Sequence, residues 1–336
     1  MRRVLLALAI ALAAASAGAQ QLSTKVMGGL GIDAGTQGPP GLYIIDRLIV
    51  FHATTLRGRN GEVVPVSGLD IRARANALGV AYAFHRDAWP TLTIAASVPY
   101  ASLALNSDNP VASIDRLGLG DVFVQPIRAG WTQPRYDVVT AYSFFAPTGQ
   151  TEPKRPGVGR GYWTHELALG GAWYADTART TRASALMGYD INLKKRGIDI
   201  TRGNMLDVQG GVGTTVYKSM VVGVAGYALW QVSDDRGADL PPALIGLRTR
   251  TYGLGPELDV ALPIGLRGEL RYEWDIGTRA RPQGTVLAIG ITYRAASAGR
   301  SGGHGAFAYP DRNAATVPAS GSNLWRQTHA VSLASR

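Results

Sequence analysis

Leu266-Arg267-Gly268-Glu269-Leu270-Arg271-Tyr272-Glu273-Trp274 alternates without a break between apolar or small residues and charged ones. Successive side chains of a β-strand point to opposite sides. Leu266, Gly268, Leu270, Tyr272 and Trp274 therefore share one face, and Arg267, Glu269, Arg271 and Glu273 share the other. A helix would scatter both sets. A soluble antiparallel sheet with one wet face would read the same in isolation. The rest of the chain must separate that reading from a strand that crosses a bilayer, with lipid on one face and an aqueous lumen on the other.

Other segments repeat the pattern. Asp70, Arg72, Arg74 and Asn76 share one face of 68–84, Asp190 and Asn192 one face of 182–193, Asp207 and Gln209 one face of 203–217, and Glu257 and Asp259 one face of 249–262. A charge turned toward lipid at mid-depth costs about 2–4 kcal/mol, so these faces are assigned to the lumen. Ile71, Met187, Tyr189, Ile191, Leu206, Val208, Leu258 and Val260 then face lipid. The expected pore-lining set is Asp70, Arg72, Arg74, Asp121, Asp190, Asp207, Glu257, Asp259, Arg267, Glu269, Arg271 and Glu273.

Twelve strands are predicted, at 42–54, 68–84, 91–105, 118–131, 136–146, 162–174, 182–193, 203–217, 220–233, 249–262, 265–275 and 283–293. Most exceed the roughly 9–11 residues that a tilted strand needs to cross a bilayer. Short links (85–90, 132–135, 175–181, 218–219, 263–264) alternate with a mostly longer, more polar set (55–67, 106–117, 147–161, 194–202, 234–248, 276–282). Outer-membrane barrels have short periplasmic turns, longer extracellular loops and an even strand count. The predicted fold is all-β, an antiparallel transmembrane β-barrel of about 12 strands. Tyr43, Trp89, Trp131, Tyr136, Trp163, Trp173, Tyr174, Tyr217, Tyr272, Trp274 and Tyr293 fall near strand ends, where aromatic girdles form.

Composition agrees. Of 336 residues 17% are charged, below the roughly 25% of soluble domains, and 42 glycines and 14 tyrosines suit strands and turns. Mean hydropathy is +0.01, too low for a helical membrane protein. Arg2 and Arg3, an apolar run from Val4 to Ala15, and Ala17-Gly18-Ala19 form an export signal over 1–19. The expected divisions after it are an N-terminal periplasmic segment or plug at 20–41, a barrel at 42–293 and a disordered Gly, Ser, Ala and Arg-rich tail at 294–336. The absence of cysteine removes disulfides, thiolate metal sites and cysteine nucleophiles. The net charge of +10 is uneven: Arg2 and Arg3 leave with the signal and the tail carries four more, so nucleic acid is not an expected partner.

Catalytic chemistry finds little support. Of His52, His85, His165, His304 and His329, two lie in the tail and His85 at a short turn, and His165 and Glu166 are adjacent on a strand and so point apart. Gly118-Leu119-Gly120-Asp121 and Gly157-Val158-Gly159-Arg160-Gly161 do not open helices within βαβ units, so they are turns and not phosphate loops. No cofactor or metal is expected. The loop 147–161, with Lys154, Arg155 and Arg160, would narrow a pore if folded inward.

Gly118-Leu119-Gly120-Asp121, Pro126, Gly130-Trp131, Pro147-Thr148-Gly149, Tyr162-Trp163-Thr164, Gly223 to Gly226-Tyr227, Gln231-Val232, Gly255-Pro256 and Arg281-Pro282-Gln283-Gly284 stand in a distinctive order. Over 41–293 the chain resembles the outer-membrane transporter family assigned to the meta pathway of phenol degradation. The resemblance implies an outer-membrane barrel that admits hydrophobic or aromatic substrates, and carries no set of binding residues with it. Members commonly end at the final strand on an aromatic residue, here Tyr293, whereas this chain runs on to Arg336. The expected function is passive uptake of small aromatic or hydrophobic molecules across the bacterial outer membrane. The alternative is a plugged structural or adhesive barrel. Outer-membrane lipid, the barrel-assembly machinery and a small-molecule substrate are the expected partners.

Overall fold

The computed structural model describes residues 27–84, 90–108, 113–151, 157–217 and 219–295. The export signal at 1–19, the tail beyond Ala295, and His85, Trp89, Lys154, Arg155, His304 and His329 lie outside the described residues. The wall has twelve strands: β1 Gly41–Arg57, β2 Asp70–Ala83, β3 Thr91–Asn106, β4 in two pieces (Ile114–Leu119 and Val122–Gln133), β5 Tyr136–Ala146, β6 Thr164–Tyr174, β7 Thr181–Asn192, β8 Met205–Tyr217, β9 Met220–Gln231, β10 Arg250–Ala261, β11 Leu266–Arg279 and β12 Arg281–Ala295. Each pairs antiparallel with its sequence neighbours, and β12 pairs with β1 from Leu42↔Ala295 to Arg57↔Arg281. The sheet is therefore closed, which leaves no unpaired edge to face lipid. The twelve-stranded barrel expected from the alternation is present.

The second piece of β4 carries a bulge of its own. Pro126 lacks the N–H that a ladder needs, and the register shifts between Val124 and Ile127 to hold it in a bulge. Between the two pieces, Gly120 N donates to Pro99 O at 2.8 Å, so the strand stays attached to β3 across the gap.

One predicted loop is absent. The link expected at 276–282 is the single residue Ala280, in the left-handed region at φ 53°. Beyond Trp274↔Thr285 strands β11 and β12 part company, β11 staying with β10 (Tyr252↔Ile276, Arg250↔Arg279) and β12 with β1 (Thr55↔Gln283, Arg57↔Arg281). Backbone groups that would otherwise need water find partners on the outer neighbours, so the ends grow as strand. Asp275 spans the parting, its carboxylate accepting from Gly284 N at 3.0 Å and its carbonyl from Gln283 Nε2 at 2.9 Å.

The outward face is apolar along most of the wall. Leu78, Val80, Leu167, Leu169, Val212, Val224, Leu270 and Ile291 are all exposed there. Tyr136, Trp163, Trp173, Tyr217, Tyr272, Trp274 and Tyr293 are exposed with them. Tyr43 and Tyr174, expected in the girdles, turn inward and are buried. Tyr174 donates to Asp137 at 2.9 Å and Tyr43 to Pro39 O, so both hydroxyls are spent inside.

Candidate functional site in the barrel lumen

Residues 27–37 lie inside the barrel, and 38–40 lead from its mouth to β1. From Gly41 at the end where both termini meet, the segment climbs past Asp137, then Arg267, then Arg271, to Met27 beside Phe51. It carries almost no regular structure, so its backbone groups must bond to the wall. Ile32 N donates to Glu257 Oε2 at 2.7 Å, Leu30 N to Gln209 Oε1 at 3.2 Å and Gln37 N to Asp137 Oδ2 at 3.3 Å. Ser184 Oγ donates to Ile32 O at 2.6 Å, Arg271 Nη2 to Gly29 O at 3.1 Å and Arg128 Nη2 to Thr36 O at 2.7 Å. A Cβ at Gly31 would meet the Glu257 carboxylate and the Arg271 guanidinium, so any larger residue would have to push this ion pair aside. Ile32, fully buried, fills the hollow left by Gly211, Gly213 and Gly223 on β8 and β9.

Asp33 is the anchor of the segment. Its carboxylate takes Arg182 at 2.5 and 3.1 Å and also pairs with Arg267. Burial alone would push the carboxyl up, but Arg267 and Arg182 outweigh it and hold Asp33 down at about 2.

Eight of the predicted lining residues form the wall behind this segment. Arg267 meets Asp259 at 2.7 Å and Glu269 at 3.6 Å, and Arg271 meets Glu257 at 3.0 Å and Glu269 at 3.5 Å. Arg47, from across the β12 seam, joins Glu269 at 3.2 Å. Glu273, Asp190 and Asp207 are buried on the same inner surface. Glu166, weighed in the sequence only as a neighbour of His165, brings a carboxylate oxygen within 4.8 Å of those of Asp190 and Asp207. Oxygen-only donors of this kind suit hard cations. Within the trio's surroundings Ser143 Oγ donates to Glu166 at 3.2 Å and Gln209 Nε2 to Asp207 at 3.2 Å.

Arg271 is 2% exposed, and removing one partner from a buried ion cluster leaves charges uncompensated at about 3–5 kcal/mol. Arg271→Met is therefore expected to lower the urea midpoint of the refolded barrel by that order of free energy. An unchanged midpoint would show that the network contributes nothing to the wall.

Four predicted lining residues lie elsewhere. Asp121 sits in the break of β4, at the long-loop end, accepting from Gly149 N at 3.0 Å and Arg160 N at 3.1 Å and so tying down the loop after β5. Asp70, Arg72 and Arg74 are on the outer face of β2, in line with Leu78, Val80 and Tyr82. Alternation separates two faces without saying which is inside, and charge was the wrong guide here. The inner face is Ile71, Ala73, Ala75, Ala77, Gly79, Ala81 and Ala83, and the charges stand near the rim of the apolar band, where their cost falls to about 0–1 kcal/mol.

That run of small residues is the feature that sequence reasoning missed. Together with Ala95, Ser97, Pro99 and Ala101 on β3 it makes one apolar side of the lumen. Ala73, Ala75, Ala77 and Ala81 are only half-buried, whereas Val139, Gln209, Val221 and Ala225 under the N-terminal segment are no more than 1% exposed. The segment thus covers the charged side and leaves the alanine side accessible. Toward the long-loop end this side closes at Met27, Phe51, Ile71, Leu103, Leu105 and Leu229, which pack as one apolar cluster. Glu273 is buried beside the cluster, opposite Val286, and neither of its carboxylate oxygens has a hydrogen-bond partner among the described residues.

A family model described as "Putative MetA-pathway of phenol degradation" matches residues 54–290. Among solved structures, the COG4313 outer membrane channel from Pseudomonas putida F1 superposes with a TM-score of 0.69 at 11% identity, covering 78% of this chain and 97% of that one. The transport unit of the autotransporter AIDA-I from Escherichia coli (TM-score 0.47, 10% identity, 84% and 97% covered) and the NanC porin (0.44, 10%, 75% and 100%) are more distant. No curated protein matches the chain.

Proposed function

We propose a function from one premise: the chain belongs to the phenol-degradation MetA-pathway family. It is an outer-membrane barrel of the channel-like kind. The reading its lumen supports best is passive uptake of small aromatic or other apolar molecules along the alanine side of the barrel. The observation that carries it is the asymmetry of the lumen, in which the N-terminal segment occupies the charged side and leaves Ala73, Ala75 and Ala77 accessible.

An apolar solute loses little on leaving water for such a surface, since burial gains roughly 25 cal/mol per Å². An ion or sugar gains nothing there and would shed its hydration. At the closed end the solute must part the contacts of Met27, whose unbranched side chain repacks easily. Glu273 offers a lone acceptor there for a hydroxyl, which favours a phenol over a plain hydrocarbon. The reading is of a conduit and not a catalyst: both described histidines, His52 and His165, point outward, and His165 is bonded to Tyr142 at 2.8 Å. Insertion into the membrane would rely on the barrel-assembly machinery.

The test is the initial rate of phenol uptake by intact cells, whose glycolipid leaflet slows apolar solutes, with and without the full chain. Faster phenol entry with unchanged sugar entry is expected. A second reading, a plugged structural barrel, is favoured by the Asp33 lock, and equal phenol rates with and without the chain would select it.

A further inference from the structure

We propose that the outer face of β2 binds the phosphate groups of a phosphorylated glycolipid in the outer leaflet, through Arg74 and Arg72. Arg72 and Arg74 are the third and fifth residues of β2, counted from its long-loop end at Asp70. Arg72 shares a row with His52, Thr285 and Trp274, and Arg74 shares the next row with Val50, Leu287 and Tyr272. Tyr272 and Trp274 are exposed, with ring centroids 5.0 Å apart, and mark the girdle at the long-loop end of the barrel. Both arginines stand on the lipid-facing surface near the long-loop end of β2, toward the side where acyl chains give way to headgroups.

Their charges are unequally satisfied. Asp70 pairs with Arg72 at 2.7 Å and meets His52 Nε2 at 3.1 Å. Arg74 has no ion pair or hydrogen bond among the described residues. An unpaired guanidinium on this surface favours an anion or a snorkelling path to one, because its row of Val50, Ser102 and Leu117 holds no carboxylate to neutralise it. The donors beside it suit phosphate oxygens. Ser102 is directly opposite Arg74 on β3, and Asn76 and Tyr100 form the row below. A guanidinium can grip a phosphate with two parallel hydrogen bonds, which a phosphate of a glycolipid presents at this depth.

The test uses the full chain refolded and then loaded with a bisphosphorylated glycolipid or its dephosphorylated form, with bound lipid counted by native mass spectrometry. Retention of the phosphorylated form alone is expected, falling about tenfold or more in the Arg72→Gln/Arg74→Gln variant. Heat-modifiable gel mobility checks that the variant is folded, and Arg74→Lys should retain part of the binding. Equal retention of both lipids, equal retention by the variant, or displacement by inorganic phosphate would overturn the proposal. So would an arginine-dependent dimer without bound lipid, which would make this face a contact between two copies.

Discussion

Deletion of residues 27–38 from the full chain is expected to raise its ion conductance in planar bilayers by roughly fivefold or more, since a twelve-stranded wall is wider than the eight-stranded kind that side chains fill. The wall does not depend on the segment, because β1 begins at Gly41 and closes on β12 through its own ladder. What the deletion uncovers is Asp137, Asp190, Asp207, Glu257, Asp259, Arg267 and Arg271, a surface that water and ions wet readily. Asp33→Ala should act in the same direction but more weakly. It removes the pairs to Arg182 and Arg267, yet Asp259 still lies 2.7 Å from Arg267, and the bonds at Gly29, Leu30, Ile32 and Thr36 remain. Brief openings of the point variant beside sustained openings of the deletion would match this hierarchy. A deletion variant that is folded and still silent would mean that something other than 27–38 fills the lumen.

Ala75→Trp is expected to cut phenol uptake about tenfold while the barrel still folds, because the indole enters the accessible side of the lumen and leaves the closed ladder of the wall intact. Ala75 sits in the row of Ile49 and Ala101, directly below the row in which Phe51 and Leu103 close the apolar side. An indole there would fill the space between wall and N-terminal segment. Val80→Trp, on the outer face of the same strand, places the same ring in lipid and should leave uptake unchanged. Equal rates for the two variants would remove the alanine side from the route.

Much of the fold was legible because a barrel strand writes both of its environments into alternate residues. Leu266 to Trp274 did so in full, and β11 turns Arg267, Glu269, Arg271 and Glu273 to one face and Leu270, Tyr272 and Trp274 to the other. On β2 the same rule separated the faces but assigned them the wrong way, since near the headgroups an arginine is tolerated outside and the inner face needed only to be small. The signal for the inner face was present in the sequence as Ala73, Ala75, Ala77, Gly79, Ala81 and Ala83 at a period of two. The partners of the charged rows were not legible: Asp33 with Arg267 and Ile32 with Glu257 are joined by insertion of the N-terminal segment, and Arg47 with Glu269 by closure of the wall over β12, and no local pattern carries that information. The lost loop at 276–282 reads as turn because it contains Gly277 and Pro282, but neighbouring strands supplied ladder partners.

The most direct measurement is diffraction from crystals soaked in 4-bromophenol, with the bromine located by its anomalous signal. The account predicts bromine against Ala73, Ala75 and Ala77, with the phenolic oxygen free to turn toward Glu273 when the ring advances to the Met27 cluster. Bromine found only on the lipid face or among the ion pairs of β10 and β11, with the alanine side empty, would contradict it.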